Sequence, residues 1–344
     1  MKVAIVTTTV PFIHGGAEYL ADSLKCKLRE NGHQATIIGI PFQWYPPQSI
    51  LEHILACRLL KLEYTDKVIA LKFPAYYISH PDKVLWLLHQ HRQAYDLWDT
   101  TYQDIPSTPD GIRIRQAIIQ SDNLFLKEAK KIYTISKVVT NRLKRYNGID
   151  SEVLYPPLMD AGKYQCDSFG DYLFFPSRIV QPKRQYLAVE SMKYTKSAAK
   201  LVIAGIPDTP EQLKYIESII NKNNLQGKVK IISKWITEEE KYDHFARSLG
   251  CIFIPYNEDY GYVSLEAFAS HKPVITCNDS GATLEFVEDG TTGCIVPPEP
   301  QAIAAAIDKL FYNKTMAKKM GQAGYEKLST LDITWERVMR CLTA

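Results

Sequence analysis

The chain has 344 residues, 41 basic and 38 acidic side chains for a formal net charge of +3, and an apolar fraction of 46%. Such a length exceeds what one hydrophobic core usually serves, so two domains are expected, and so slight a charge excess supplies no electrostatic footprint for nucleic acid. The 7 cysteines, at 26, 57, 166, 251, 277, 294 and 341, include no C-x-x-C pair and no companion histidine at ligand spacing; this is the pattern of reduced, mostly buried thiols in a cytoplasmic protein rather than of a disulfide framework or a zinc site.

Val3 to Thr8 is a continuous apolar and β-branched run, as in a parallel strand buried on both faces. It is too short for a signal-peptide core, and no later stretch holds about eighteen consecutive apolar residues, so the chain is expected neither to enter nor to span a membrane. Next, Leu20, Leu24 and Leu28, with Ala17 and Ala21, mark one face of a helix that stops at Asn31-Gly32, and Ala35 to Ile40 reads as a second strand. Gly15 and Gly16 open that helix, where glycine lets the backbone approach a ligand closely, and Glu18 suits the positive end of the helix dipole. A tight turn without a ligand fits the same residues. Neither the G-x-G-x-x-G fingerprint nor the P-loop pattern is present.

Further strands are expected at Val68 to Phe73, Val84 to His89 and Ile132 to Ile135. After the middle one comes an aromatic and charged stretch with His89, His91, Arg92, Tyr95, Trp98 and Tyr102. One of the two histidines should stand in the crevice beyond the strand end, and Tyr95 and Trp98 offer faces of the kind that stack on sugar rings; a loop packed by its own aromatics is the alternative. Pro109 to Tyr146 is mostly helical, with Ser136 as an N-cap. Lys127 to Arg145 holds seven basic residues against Glu128, either a solvated face or a surface for anionic lipid and lipid-linked phosphate, which would place the protein peripherally on the inner face of a membrane. Tyr155-Pro156-Pro157 and the weakly patterned residues up to Asp171 form the linker between domains at 1–160 and 161–330.

The second half repeats the alternation, with strands at Tyr172 to Pro176, Leu201 to Ala204, Val229 to Ile232, Cys251 to Ile254, Val274 to Thr276 and Gly293 to Val296. Arg178 and Lys183 follow the first of these at its carboxyl end, where a guanidinium and an ammonium suit a diphosphate. Thr237 to Glu240 is a capping box, preceded by Trp235 and Ile236, which either hold a flat base or serve structure alone. Glu258 and Glu266 stand eight apart around Gly261, between an apolar run and a helix start, the place where a parallel sheet receives anions. Glu285 to Gly290 reads as a short helix and turn, and Gln301 to Tyr312, Met316 to Lys327 and Trp335 to Leu342 read as helices.

The stretches VPFIHGGAE, SRIVQPK and NEDYGYVSLEAFASHKPVI, in this order and spacing, resemble the family 4 retaining glycosyltransferases of the GT-B fold, and the likeness covers nearly the whole chain. It implies two doubly wound, Rossmann-like domains facing a central cleft, with the helix in 331–344 packing back toward the first. It also implies that Glu266 accepts hydrogen bonds from ribose hydroxyls, that Glu258 reaches hydroxyls of the donor sugar, and that Gly261, Tyr262, Val263 and Ser264 present backbone N–H groups to the diphosphate. Arg178 and Lys183 then stabilise the departing charge, while Gly15 and Gly16 close over the phosphates. The family's single histidine beside the sugar corresponds to His91 or, in this H-Q-H sequence, His89. With no D-x-D motif, no metal or other cofactor is expected. The sequence departs from the family at Asp259-Tyr260, where Gly-Phe is usual, and at Ala282, where a second glycine is usual. UDP-glucose is the preferred donor on this reading, and a saccharide or lipid-linked acceptor of polysaccharide or glycoconjugate synthesis the second substrate. An epimerase on the same fold, or a nucleotide-sugar-binding protein without activity, are the rival readings.

Overall fold

A computed structural model describes residues 1–11 and 15–344. The chain forms two units, one of Met1–Pro157 together with Ile333–Ala344 and the other of Leu158–Asp332.

In the first unit β1 (Lys2–Thr9), β2 (Gln34–Pro41), β3 (Lys67–Ala70), β4 (Lys83–Leu87), β5 (Lys131–Thr134) and β6 (Glu152–Val153) make one sheet in the order β2-β1-β3-β4-β5-β6, and every pairing is parallel. The helices are α1 (Gly16–Glu30), α2 (Ser49–Leu59), α3 (Pro109–Phe125) and α4 (Lys137–Asn147), with α12 (Trp335–Thr343) returning from the end of the chain. The predicted leucine stripe of α1 is buried: Leu24 and Leu28 are 0% exposed. Thr108 and Ser136 cap α3 and α4 by accepting hydrogen bonds from the Gly111 and Val139 amides, each cap worth about 1 kcal/mol. Trp335 of α12 lies edge-on to Trp86 of β4 with ring centroids 6.5 Å apart, and Trp86 donates its indole N–H to the Leu154 carbonyl at 2.8 Å. Two expected strands are shorter than their apolar runs. β3 ends at Ala70 and β4 at Leu87, because Leu71 to Phe73 and Leu88 turn into the core as loop residues.

The second unit holds β7 (Tyr172–Pro176), β8 (Lys200–Ala204), β9 (Val229–Ile232), β10 (Gly250–Ile252), β11 (Val274–Cys277) and β12 (Gly293–Val296) in the order β12-β11-β10-β7-β8-β9, again all parallel. Its helices are α5 (Gln185–Ser191), α6 (Pro210–Lys222), α7 (Glu238–Arg247), α8 (Tyr262–Ala269), α9 (Thr283–Phe286), α10 (Pro300–Tyr312) and α11 (Lys314–Thr330). The short helix and turn foreseen over 285–290 is a helix at Thr283–Phe286 followed by a turn that reaches Gly290. Phe174 and Phe175 of β7, with Phe245, Phe253 and Phe268, are at most 1% exposed and fill the core.

The strand order locates a binding crevice. From β7 the chain builds outward on one side through β8 and β9, then returns to build the other side from β10. The loops leaving the carboxyl ends of β7 and β10 thus diverge, which is where open parallel sheets bind ligands.

Candidate functional site

Of the residues singled out in the sequence, those two loops carry Arg178, Lys183, Glu258 and Gly261. Lys183, beyond β7, donates to Glu258, beyond β10, at 2.5 Å, and both side chains are about one-fifth exposed, at 22% and 19%. The ammonium also lies 5.1 Å from the Phe253 ring centroid. Arg178 diverges from this pair: its guanidinium donates to Asp208 at 2.9 Å and is 43% exposed. The two cations grouped by spacing therefore have separate carboxylate partners.

Glu258 is held in place by backbone. Its amide donates to the Ser280 carbonyl at 3.2 Å, and its carbonyl accepts from the Ala282 amide at 2.9 Å. Gly281 sits between these bonds at φ +65°, and a Cβ there would meet Glu258 N and O at 2.5 Å each, so this close approach requires glycine. Gly261 caps α8 at φ +81°. Because a glycine cap brings no side-chain oxygen, the first amides of α8 face the crevice as anion donors with the positive end of the helix dipole behind them. The Ser264 amide is used within the turn, 3.1 Å from the Gly261 carbonyl.

Arg184, which the sequence analysis passed over, ties the crevice together. It is 4% exposed and donates to the Ile254 carbonyl at 2.7 Å, to the Pro255 carbonyl at 2.8 Å, and bidentately to Asp279 at 2.8 and 2.6 Å. The loop after β7, the end of β10 and the loop before Gly281 thus share one guanidinium. As the neighbour of Lys183, Arg184 also fixes where that ammonium starts from. The only sequence signal was a second cation in P-K-R, which carries no information about partners so distant in the chain.

Glu266 lies in the second turn of α8, 8% exposed, and accepts from Lys241 of α7 at 2.8 Å. Trp235 is 57% exposed and Ile236 half-buried in the loop before α7, whose capping box is present: the Glu240 amide donates to Thr237 Oγ1 at 3.1 Å and the Thr237 amide to Glu240 at 2.8 Å.

In the first unit, Gly15 is the N-cap of α1 and its amide donates to Glu18 at 3.0 Å, while the other oxygen of Glu18 accepts from Lys72 at 3.1 Å. Gly16 is exposed; Phe12, Ile13 and His14 of the same motif lie outside the described residues. His89 and His91 stand beyond β4. The His89 Nδ1 is 2.8 Å from the Gln90 carbonyl. The His91 ring tilts against Phe73 at 4.9 Å, and its Nε2 is buried with no hydrogen-bond partner among the described residues. Burial, with a smaller contribution from His89, pushes the His91 imidazole down to about 3, so it is neutral at physiological pH.

Tyr95 is not on a surface. It is 2% exposed, and its hydroxyl donates to Asp122 at 2.6 Å, alongside Tyr76 at 2.8 Å, Tyr77 at 2.6 Å and Gln90 at 3.0 Å. This buried cluster anchors the middle residue of the H-Q-H segment and withdraws Tyr95 from any contact with an acceptor. Trp98 lies under the Arg115 guanidinium at 4.7 Å. The basic run does not form one face either: β5 interrupts it, and Arg142 is buried in an ion pair with Asp96 at 2.9 Å. Among the described residues no group of three or more His, Cys, Asp and Glu is placed to hold a metal ion, and no helix is long and apolar enough to cross a membrane.

Residues 164–327 match the family model described as glycosyl transferases group 1. The chain is 27% identical over 124 residues to mouse alpha-1,3/1,6-mannosyltransferase ALG2, covering 36% of this chain and 29% of that protein. It is 26% identical over 210 residues to the human counterpart, covering 54% and 50%. To the capsular polysaccharide biosynthesis glycosyltransferase CapM of Staphylococcus aureus it is 28% identical over 172 residues, covering 48% and 43%. The matched stretch thus spans at most half the length of these relatives. Among solved structures, sucrose-phosphate synthase from Thermosynechococcus elongatus superposes with a TM-score of 0.77 at 16% identity, covering 100% of this chain and 98% of that one. Anabaena HepE in complex with UDP and glucose gives 0.75 at 15% identity, covering 100% and 99%. These likenesses show the fold, which is GT-B.

Proposed function

We propose, for a chain whose residues 164–327 match the group 1 glycosyl transferases, that it moves a hexose from a nucleoside diphosphate sugar to a hydroxyl of a saccharide or lipid-linked acceptor. The observation that carries this reading is the Lys183–Glu258 pair at the strand-order reversal of the second sheet, facing the glycine-capped start of α8. A cation, a helix N-terminus and a carboxylate in one crevice suit a sugar diphosphate: the first two take the phosphates and the third takes sugar hydroxyls.

In this mechanism the bond from the anomeric carbon to the diphosphate oxygen breaks as Lys183 and the Tyr262 and Val263 amides receive the growing negative charge. Arg178 adds charge at the edge of the crevice. The acceptor oxygen bonds to the anomeric carbon on the face the nucleotide leaves, and its proton passes to the departing phosphate. The configuration is retained without a covalent intermediate. No metal is assigned a part, since Lys183 and the α8 amides supply the positive charge. Glu266 takes ribose hydroxyls, and Trp235 with Ile236 the base. Gly15, Gly16 and His91 have the roles the family likeness implies, contact with phosphate and with the donor sugar.

The family likeness favours UDP-glucose as donor. UDP and glucose are bound by HepE, whereas ALG2 is named a mannosyltransferase; glucose and mannose donors are therefore the pair to compare. Incubation with UDP-glucose, GDP-mannose and related nucleotide sugars, read by melting temperature and then by transfer to glycan acceptors, tests the proposal. A donor that raises the melting temperature and is consumed only when an acceptor is added supports transfer. Conversion without acceptor would show an epimerase, and absence of any response to nucleotide sugars would sink the reading.

A further inference from the structure

We infer that Lys241 and Tyr164 are positioning residues that set Glu266 to receive the vicinal hydroxyls of a nucleotide ribose. This rests on the reading of the chain as a user of nucleoside diphosphate sugars.

Two parts of the chain converge on Glu266, helix α7 and the segment that holds Tyr164. Its carboxylate is almost covered, and Lys241 Nζ lies 2.8 Å away with the two side chains 16% and 10% exposed. Lys241 is held from its other side by Glu238 at 2.8 Å, one residue beyond the Thr237 cap of α7. Tyr164, from the segment that enters the second unit ahead of β7, stands beside Glu266, whose charge acts on its hydroxyl. Its own ring is 7% exposed and packs edge-on to Tyr242 at 4.6 Å and Phe245 at 6.1 Å.

Taking a carboxylate this far out of water costs free energy unless donors replace the water. Burial works to lower the Lys241 ammonium, but Glu266 and Glu238 outweigh it and hold the group above its usual range. Burial, then Glu266, raises the Tyr164 hydroxyl, so it stays protonated. A carboxylate has about four acceptor sites. Lys241 takes one at 2.8 Å and the Tyr164 hydroxyl stands beside the same carboxylate, which leaves acceptor sites for donors from outside the protein. Two adjacent hydroxyls on a five-membered ring fit that demand, whereas a single hydroxyl uses half of it.

The experiment measures the affinities of UDP and GDP, and of their 2′-deoxy and 3′-deoxy counterparts, by calorimetry on the full chain and on Lys241→Met, Lys241→Arg and Tyr164→Phe, with steady-state kinetics in parallel. Wild type should favour the ribonucleotides by about 10- to 100-fold, the range of a hydrogen bond to a charged group. Lys241→Met and Tyr164→Phe should weaken ribonucleotide binding by about tenfold and leave deoxynucleotide binding nearly unchanged, so that the preference collapses; Lys241→Arg should restore part of it. KM for the donor should rise while kcat stays close to wild type. If Lys241→Met fails to fold, Tyr164→Phe carries the same comparison. A variant that keeps the wild-type preference overturns the inference and leaves the proposed function standing. A wild-type chain that binds neither UDP nor GDP overturns the function itself, and the inference with it.

Discussion

At the scale of single residues, Lys183 and Arg178 are equivalent in the sequence and unequal in the structure. Lys183 is less exposed and paired with Glu258 inside the crevice, while Arg178 is 43% exposed and paired with Asp208. A charge in a sheltered place is screened less, so its loss costs more. Lys183→Ala should lower kcat by about a hundred- to a thousandfold, the scale of one removed stabilising donor, and Arg178→Ala by less. Initial rates at saturating donor check both, and a Lys183→Ala enzyme within threefold of wild type would remove Lys183 from the mechanism. His91 makes a pH prediction. Its folded value of about 3 lies below the unfolded 6.5, so the unfolded chain accepts a proton that the native one refuses. The stability it contributes is fully present above pH 6.5 and is lost as pH falls toward 3, at no more than about 1.4 kcal/mol per pH unit and less in so far as the ring keeps some solvent contact. Urea unfolding of His91→Gln should show a flatter decline between pH 6.5 and 4 than wild type; parallel declines would place the neutral imidazole elsewhere. Residues whose chemistry shows in local spacing, such as Lys183 and Glu258, were legible in the sequence. Arg184, Lys241, Tyr164 and Asp122 were not, because their partners are remote: the Arg184 bonds to Ile254 and Asp279 cross 70 and 95 positions.

At the scale of elements, strand and helix periodicity was legible wherever one period dominated. The apolar runs of β7, β9 and β12 appear with the expected bounds, and the leucine stripe of α1 is a core face. Helix α2 was missed for a physical reason. Ile50, Ile54 and Cys57 are at most 8% exposed on one face, but Leu51, Leu55 and Leu59 are 40%, 60% and 70% exposed on another, so the apolar residues do not alternate with polar ones at a helical period. β6 was missed because two residues carry no periodicity. Turn chemistry separates glycines that look alike in sequence. Gly281 and Gly290 both have positive φ, +65° and +73°, but a Cβ at Gly281 would strike the Glu258 backbone at 2.5 Å whereas at Gly290 nothing lies within 4 Å. Gly290→Ala should therefore cost only the left-handed backbone strain, about 1 kcal/mol. Gly281→Ala should cost a further 1–3 kcal/mol, the scale of forced shifts in a packed region, because the bridge to Glu258 has to move. It should also lower turnover. Chemical denaturation and initial rates on the two variants make the comparison, and equal losses of activity would show that the bridge does not set the position of Glu258.

At the scale of the whole molecule, alternating strands and helices were enough to show two parallel sheets, and the likeness to GT-B proteins holds across the full chain. What spacing alone did not supply is the return of the last helix to the first unit, which depends on a contact between Trp335 and Trp86, residues far apart in the sequence. The amphipathic pattern of α12 identifies a face to be buried but not the surface that buries it. Trp335 is 9% exposed, Val338 and Leu342 are 0%, and the final residue accepts from Lys67 at 2.6 Å, so α12 closes the core against β3 and β4. Trp335→Ala should remove about 3–5 kcal/mol, the usual cost of emptying a buried aromatic site. Hydrogen exchange by mass spectrometry locates the loss. Amides in β3, β4 and α1 should exchange faster in the variant, while those in β7, β8 and β10, whose core of Phe174, Phe175 and Phe253 contains no part of α12, should keep their protection. Unchanged exchange throughout the first unit would mean that α12 lies on that core without stabilising it, and equal losses in both units would mean that the two cores open as one.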